Sequence, residues 1–283
     1  ARPPQRGEHG LVEPARQIGK DVLSIESVSK SYGDKRVLRD VSITVRRGER
    51  VAILGPNGLG KSTLLKIAVG RLDADAGKVT WGHETRVGYF PQDHHEVLED
   101  PERTPLQTIW DLVPTETHTY VRGQLGRMLF SGEDVQKKIG SLSGGEAARL
   151  VFCTLMVKHP NVMVLDEPTN HLDLASIDAL IEPLKTFDGT IVLVSHDRAF
   201  VSALATRVLE VTVDGFRDFP GTYEEYLSRC GDDHLDADAV VLRARREKSE
   251  ADTPKTAALS WEEQKKRANR KKQLPARRDE IVA

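Results

Sequence analysis

Cysteine and long apolar runs are both scarce in this chain of 283 residues. The two cysteines, Cys153 and Cys230, show no metal-binding or redox spacing, so two reduced thiols are expected rather than a disulfide framework. No segment approaches the roughly 18 apolar residues that are needed to cross a bilayer. The first residues, ARPPQRGEHG, lack the pattern of a signal peptide. These absences predict a cytoplasmic protein without a membrane span.

An excess of charge of one sign is missing as well. Lys and Arg number 41 against 43 Asp and Glu, which gives a net charge of -2. This balance does not indicate a chain that binds nucleic acid along its whole length, although a local basic patch can still do so. The chain also lacks a starting methionine, and we therefore expect that it is cut from a longer protein.

The composition changes along the chain and predicts one domain flanked by other segments. Residues 1–20 are rich in Pro, Arg and Gly, which is typical of a linker. Residues 230–257 begin with an acidic, turn-rich stretch and predict a flexible linker, whereas residues 258–283 contain a strongly basic run. The predicted domain therefore covers residues 21–229.

Hydrophobic patterning inside that domain predicts an α/β fold. VLSIESVSKSYG and VLRDVSITVRRG alternate apolar and polar residues, as half-buried strands do. VAILG, VMVLD and IVLVSH are apolar on both faces and alternate with helical patterns, which predicts a parallel sheet covered on both sides.

Three further segments complete the predicted elements. GKVTWGHETRVGYFPQ predicts a hairpin-rich piece, and residues 105–139 have a mostly helical pattern. EAARLVFCTLMVKHP predicts a core helix with one apolar face. That face consists of Ala148, Val151, Phe152, Leu155 and Met156.

The segment GPNGLGKST has the spacing of a phosphate-binding loop, and it lies between an apolar strand and a helical pattern. Its glycines allow backbone N–H groups to close around phosphate oxygens, and the start of the next helix adds partial positive charge. Lys61 supplies a charge for the outer phosphates, and Ser62 supplies a hydroxyl for Mg²⁺. The predicted nucleotide-binding residues are Gly55, Pro56, Asn57, Gly58, Leu59, Gly60, Lys61, Ser62 and Thr63.

Two adjacent acids end the buried strand VMVLD, where alternation would place only one of them towards the core. Because ligands bind beyond the carboxyl ends of parallel strands, we expect both acids to face the bound phosphates. Asp166 is placed to hold Mg²⁺, and Glu167 to polarise the attacking water. His196 ends the neighbouring strand IVLVSH and is expected to contact the γ-phosphate.

Together these segments resemble an ATP-binding cassette (ABC) ATPase. Besides the phosphate-binding loop and VMVLDEP, SYG supplies Tyr32 for stacking on adenine, and YFPQDH supplies Gln92. SLSGGE resembles the family signature, HLD carries the D-loop Asp173, and VSHD carries His196. The resemblance implies a P-loop NTPase fold of the ABC nucleotide-binding type. Such a domain has a mixed sheet flanked by helices, an antiparallel β subdomain and a helical subdomain, here at about residues 100–145.

The resemblance also implies roles for these residues. ATP and Mg²⁺ are the expected ligands, with hydrolysis assigned to Glu167, His196 and Gln92, and Mg²⁺ to Ser62, Gln92 and Asp166. Two cassettes of this family face each other head to tail, so the signature serves the ATP of a second cassette. The signature residues here are Ser143, Gly144, Gly145 and Glu146. Most members have Gln at the last position, but Ser143 and Glu146 have the spacing of a capping box, in which Glu serves as well as Gln.

EPTNHLD and FPGTYEEYL resemble the F subfamily, whose members carry two cassettes on one chain and no membrane domain. Residues 258–283 resemble the start of a coiled-coil extension found in that subfamily. On this hypothesis the chain is the C-terminal cassette of a longer protein. The subfamily acts on the ribosome, so a ribosome partner and a role in translation or antibiotic resistance are implied.

Two alternatives stay open at this point. The same ATP motifs would serve a soluble subunit that docks on a separate permease, or a non-catalytic cassette used as a structural partner. The basic run from Lys265 to Arg278, with eight Lys or Arg and no acids, predicts either an RNA contact or a solvated helix face.

Overall fold

The computed structural model describes residues 20–170 and 172–230. Apart from Lys20 and Cys230, the predicted linker segments lie outside these residues, as do the coiled-coil start and the basic run. Within the described residues the chain forms two sheets and the helices that cover them.

A three-stranded antiparallel sheet forms first. It consists of β1 (Asp21–Tyr32), β2 (Lys35–Arg46) and β4 (Ala76–Trp81), in the order β2-β1-β4. Alternate residues of β2 are buried, for example Val41, Ile43 and Val45, and the residues between them are exposed. This pattern is the period-two alternation that the sequence predicted for a half-buried strand.

The second sheet has six strands in the order β5-β6-β7-β3-β8-β9. All neighbouring pairs are parallel except β8 and β9, which form an antiparallel hairpin at one edge. The strands are β3 (Arg50–Leu54), β5 (Val87–Phe90), β6 (Val162–Asp166), β7 (Thr190–Val194), β8 (Arg207–Thr212) and β9 (Gly215–Phe219). The sheet is therefore mixed, as the family resemblance implied.

The predicted hairpin in GKVTWGHETRVGYFPQ is not formed. β4 pairs with β1 in the antiparallel sheet, whereas β5 pairs in parallel with β6 in the other sheet. Alternation along a strand identifies an extended segment but not its partner, and each segment here pairs with a strand distant in sequence.

Seven α-helices cover the sheets in the described part of the chain. They are α1 (Lys61–Ala68), α2 (Pro105–Leu112), α3 (His118–Arg127), α4 (Gly144–Val157), α5 (Leu174–Lys185), α6 (Arg198–Leu204) and α7 (Tyr223–Cys230). Short 3₁₀ turns lie at His94–Glu96, Asp134–Gln136 and Ile139–Ser141. None of the helices in residues 20–170 and 172–230 is both long and apolar enough to cross a membrane.

Helix α4 is buried on more sides than its sequence pattern indicates. Leu150, Cys153 and Val157 are buried in addition to most of the predicted face, whereas Met156 of that face is only half-buried. The reason is tertiary, because α2, α3, α5 and β5 all contact this helix. Helical periodicity alone reports one contact face and misses the others.

The parallel strands separate two hydrophobic cores. Val51 and Ile53 of β3 join the core that contains α1 and the antiparallel sheet, whereas Ala52 and Leu54 join the core that contains α4. Strands β6 and β7 divide in the same way and are buried at every position. Because both faces of these strands are buried, their polar ends and the loops that follow them lie at one edge of the sheet.

Candidate nucleotide-binding site

The loop between β3 and α1 has a backbone that requires glycine at two positions. Gly55 has a φ of 139°, and a Cβ there would lie 2.4 Å from the carbonyl oxygen of Val211. Gly60 has a φ of 93°, and a Cβ there would lie 2.6 Å from Cγ1 of Val37. The loop can therefore lie close against its neighbours while its backbone N–H groups stay available to a ligand.

The ammonium group of Lys61 is held against this loop. Its Nζ donates to the carbonyl oxygens of Gly55 (2.8 Å) and Pro56 (3.1 Å) and to Oδ1 of Asn57 (3.3 Å). Burial lowers the pKa of Lys61, and the nearby charges of Glu167 and Asp166 oppose this shift. The loop carbonyls thus fix a positive charge at the base of the cleft.

Ser62 and Asp166 meet at the end of strand β6. The hydroxyl of Ser62 donates to Oδ1 of Asp166 (2.8 Å), and Asp166 is fully buried. Its second oxygen, Oδ2, has no hydrogen-bond partner among the described residues, and burial raises the pKa of this carboxyl group. A buried carboxylate oxygen without a partner is unfavourable unless a cation or water satisfies it.

These oxygens fit a magnesium ion. Mg²⁺ takes oxygen ligands and is usually held by one or two carboxylates together with phosphate and water oxygens. The described residues contain no cluster of three or more His, Cys, Asp or Glu that could form a metal site by itself. An ion beside Asp166 and Ser62 would therefore complete its ligands from the amide of Gln92, from phosphate and from water.

Glu167 leaves strand geometry, which explains how two adjacent acids serve one cleft. Its φ is 51°, in the left-handed region that is uncommon for residues other than glycine, and its N–H donates to the carbonyl of Val194 (2.9 Å). The turn brings the Glu167 side chain towards His196, whose own N–H donates to Oε2 of Glu167 (3.2 Å). Such local strain is common at functional sites and is maintained by the surrounding structure.

The imidazole of His196 bridges Glu167 and the phosphate-binding loop. Nε2 of His196 lies 3.1 Å from Oε1 of Glu167 and 2.9 Å from Oδ1 of Asn57. A carboxylate oxygen can only accept, so Nε2 carries a proton in this arrangement. His196 is 37% exposed and Glu167 only 6%, so the imidazole is the more accessible member of the pair.

A cleft of about 390 Å³ lies between Glu167 and the phosphate-binding loop, whereas Asp166 and His196 are not among its lining residues. It is lined by Tyr32, Lys35, Val37, Asn57, Gly58, Gly60, Lys61, Ser62, Thr63, Gln92 and Glu167. Tyr32 lines this cleft and is 51% exposed, and Nζ of Lys30 lies 6.0 Å from the centre of its ring. The structure thus brings together residues that the sequence placed in four separate motifs.

Two residues that line the cleft, Lys35 and Val37, were missed by sequence reasoning. Lys35 lies opposite Tyr32 in the β1–β2 pairing, directly after the turn that contains Gly33. The extended patterns on both sides of SYGDK could have indicated that Lys35 lies beside Tyr32, because a tight turn places the residues that flank it side by side.

The signature residues and Asp173 are not among the residues that line this cleft. The hydroxyl of Ser143 accepts from the N–H of Glu146 (3.2 Å), and Oε2 of Glu146 accepts from the N–H of Ser143 (2.8 Å). The predicted capping box is therefore confirmed. Asp173 caps helix α5 by accepting from the N–H of Ser176 (2.8 Å).

Arg149 connects the helices that begin at these two places. Its guanidinium donates to the hydroxyl of Ser176 and to the carbonyl of Met128 (3.1 Å). Helix α4, which starts at the signature, is thereby bonded to the first turn of α5, which starts at Asp173. No sequence motif predicts this link.

A second cleft, of about 430 Å³, lies where β2 meets β8 and β9. Its central cation, Arg207, is already paired with Asp218 (2.8 and 2.6 Å) and Glu49 (2.7 Å) and donates to the carbonyl of Thr44 (2.9 Å). This cleft has no glycine loop or helix start, so its size alone does not make it the better ligand site.

Comparison with known proteins defines the class of this fold. Residues 38–170 match the family described as ABC transporter. A dimeric ATP-binding cassette, solved in a post-hydrolysis state with ADP and Pi, aligns with a TM-score of 0.60 and 21% identity over 70% of this chain and 99% of that chain. The fold is therefore the α/β fold of the ABC ATPase domains, as predicted.

The relatives found by sequence indicate which subfamily of ABC proteins this chain resembles. "Probable ATP-binding protein YbiT" of Escherichia coli O157:H7 is 42% identical over 220 residues, which are 77% of this chain and 41% of that protein. ABC transporter F family member 5 of Arabidopsis thaliana is 38% identical over 261 residues, which are 92% of this chain and 37% of that protein. The chain thus has an ABC transporter domain and F-family relatives, and it spans about two fifths of the length of these relatives.

Proposed function

We propose that this chain binds and hydrolyses ATP as one cassette of a two-cassette ATPase. One observation carries the proposal: Lys61 and Ser62 of the phosphate-binding loop share a cleft with Glu167, and Ser62 is bonded to the buried Asp166. Phosphate-binding groups, an oxygen site for a divalent cation and a base for water thus lie at one edge of the sheet.

Binding uses groups that are already in place. The loop N–H groups and the start of α1 receive the phosphates, and Lys61 can exchange its three loop acceptors for phosphate oxygens. Ser62, Asp166 and Gln92 would hold Mg²⁺, which when bound offsets the negative charge of the phosphates. Tyr32 would cover the adenine ring at the open end of the cleft.

Hydrolysis needs a group that accepts a proton from water. The carboxylate of Glu167 is held by the N–H and the imidazole of His196, so its position is fixed before substrate arrives. The oxygen of water attacks the γ-phosphorus, the bond to the β-phosphate oxygen breaks, and the water proton passes to Glu167. His196 orients this carboxylate and can donate from Nε2 towards a γ-phosphate oxygen.

The signature and the D-loop support a requirement for a second cassette. They are absent from the lining of the nucleotide cleft, yet both begin helices whose first N–H groups can face a ligand on a partner. The relatives are more than twice as long as the matched region, which is consistent with a second cassette in the same protein.

The subfamily assignment supports the ribosome as the machine that this ATPase acts on, in the cytoplasm. On this proposal ATP closes the cassettes, the closed form binds the ribosome, and hydrolysis releases it. A docking role on a separate permease is not favoured, because the relatives are F-family proteins. Whether translation itself or antibiotic resistance is affected depends on parts beyond the cassette.

The test is ATP binding and turnover by the purified chain, followed by cosedimentation with ribosomes. Lys61→Ala is expected to weaken ATP binding at least tenfold, whereas Lys78→Ala, which removes an exposed lysine from β4, should not. ATP-dependent cosedimentation with ribosomes supports the translation role. Cosedimentation only with membranes would overturn that role and leave the ATPase in place, and equal ATP affinity of the two variants would overturn the ATP site.

A further inference from the structure

Glu146 brings a negative charge to the start of helix α4. Its Oε2 is used by the capping box with Ser143, a contact that an uncharged Gln would make equally well. The side chain is only 19% exposed. The N–H of Ser143 and the positive charge of Lys137 lower the pKa of the carboxyl group, so it is ionised at neutral pH.

A carboxylate at this place conflicts with the function proposed for the signature. The first N–H groups of a helix attract anions, and a carboxylate beside them repels a phosphate that approaches from a second cassette. A protein with Glu at this position therefore needs a cation that offsets its charge.

Lys137 supplies that cation. It follows the 3₁₀ turn Asp134–Gln136, nine residues before Glu146 in the chain. Its Nζ lies 3.0 Å from Oε1 of Glu146, the carboxylate oxygen that the capping box does not use, and 2.8 Å from Oδ1 of Asp134. One ammonium group thus connects the loop before the signature to the first turn of α4.

We propose that Lys137 is a positioning residue of the signature. It holds Glu146 in the capping geometry and offsets its charge, so that the start of α4 can take the γ-phosphate of ATP on a second copy of the cassette. The inference rests on the proposed two-cassette function. The inference adds to that function that Lys137 is required because residue 146 is Glu, and that a Gln at this position would not require it.

The neighbouring Lys138 provides a matched control. It has the same charge and lies one residue along the chain, but it pairs with Glu102 (2.5 Å) instead of a signature residue. Both members of that pair are well exposed, at 62% and 72%. Lys138→Ala therefore measures the effect of losing an ordinary surface ion pair, whereas Lys137→Ala measures the effect of losing the contact with the signature.

The experiment is a double-mutant cycle on the full chain. Steady-state ATPase activity and ATP-dependent dimerisation are measured for the wild type, Lys137→Ala, Glu146→Gln and the double variant, with Lys138→Ala and Lys137→Arg as controls. Lys137→Ala is expected to raise the KM for ATP roughly threefold to tenfold, as removal of one charge beside a bound anion does. In the Glu146→Gln background the same substitution should change KM less than twofold, and Lys137→Arg should restore it.

Salt gives a readout that a purely structural role would not change. The defect of Lys137→Ala should shrink as ionic strength rises, because screening weakens the repulsion between Glu146 and phosphate. The inference would be overturned if Lys137→Ala changed the KM for ATP equally in the wild-type and Glu146→Gln backgrounds, or did not change it at all. Turnover by the wild type would in that case leave the proposed function intact. A wild-type chain that does not bind ATP would overturn the proposed function, and the inference with it.

Discussion

Oε1 of Glu167 lies 3.1 Å from Nε2 of His196, and the same nitrogen lies 2.9 Å from Oδ1 of Asn57. One imidazole therefore joins the end of β6, the end of β7 and the phosphate-binding loop. These three segments are far apart in sequence and meet because their strands are neighbours or near neighbours in one parallel sheet.

Glu167→Gln should abolish turnover while ATP binding remains. Gln can still accept from the N–H of His196, so the cleft keeps its shape, but an amide does not take a proton from water. We expect a fall in kcat of roughly 10²- to 10⁴-fold with an ATP affinity within threefold of the wild type. The matched control is Glu182→Gln, which changes an exposed carboxylate on α5. Rapid turnover by Glu167→Gln would remove this residue from the role of base.

Asp166→Asn should stabilise the metal-free protein while it impairs ATP hydrolysis. Burial raises the pKa of Asp166 in the folded state above its value in the unfolded chain. Ionisation of this carboxyl group therefore opposes folding at any pH above the unfolded pKa. The contribution of Asp166 is most favourable below the unfolded pKa and is lost as pH rises through the folded pKa. Asn keeps the acceptor for the Ser62 hydroxyl without this effect.

The measurement for Asp166→Asn is thermal unfolding against pH in the presence of a chelator. At pH 7 we expect Tm to rise by roughly 2–4 °C, the shift that corresponds to about 1 kcal/mol in a domain of this size. The difference should disappear well below the unfolded pKa of about 3.9, where Asp is protonated in both states. A variant less stable than the wild type at pH 7 would contradict a buried Asp166 oxygen that has no partner among the described residues.

Gly60→Ala should weaken nucleotide binding and stability together. The added Cβ would lie 2.6 Å from Cγ1 of Val37 and 2.8 Å from Cδ2 of Leu38, at a φ that L-residues rarely adopt. We expect a loss of about 1–3 kcal/mol in the free energy of unfolding. Urea unfolding measures it.

Gly123→Ala is the control for Gly60→Ala, because it should stabilise the protein instead of destabilising it. Gly123 lies inside helix α3, has no atom within 4 Å of an added Cβ, and is exposed. Alanine there should stabilise the protein by about 0.5–1 kcal/mol, because glycine is a poor helix former. Equal effects of the two substitutions would show that the loop conformation does not require Gly60.

Arg207→Ala should destabilise the protein without changing the nucleotide cleft. This side chain is 15% exposed and joins Asp218 of β9, Glu49 and the carbonyl of Thr44 of β2, so it links the two sheets. Its loss leaves Glu49 and Asp218 without this partner, and we expect unfolding to become easier by about 1–3 kcal/mol. Arg122→Ala, at an exposed site on α3, should change stability by less than about 0.5 kcal/mol. Thermal unfolding and ATP affinity are measured together, and a selective loss of ATP affinity would contradict this placement.

Much of the fold was predictable because the relevant signals are local. Burial on both faces of VAILG, VMVLD and IVLVSH predicted parallel strands, and the structure buries all of β6 and β7. The capping box at Ser143 and Glu146 was predictable for the same reason, since both partners lie within one helical turn. The roles of the site residues and the limits of the domain at residues 21 and 229 stay predictions.

Pairings between distant segments were not predictable from patterns. GKVTWGHETRVGYFPQ contains two strands as expected, but its strands belong to different sheets. Lys35 reaches the nucleotide cleft only because β1 and β2 pair across a tight turn beside it. Arg149 reaches Ser176, 27 residues away, only because α4 and α5 pack together.

The phosphate-binding loop, the two acids at the end of β6 and the resemblance to a known family could all be recognised from residue types alone, because each of these depends on fixed short spacings along the chain. Three features became visible only in the folded chain: Asp166 has one buried oxygen without a partner among the described residues, His196 bridges Glu167 and Asn57, and Lys137 forms an ion pair with Glu146. These contacts join residues 9 to 139 positions apart. Spacing along a chain does not encode such proximity; packing of the sheets and helices creates it.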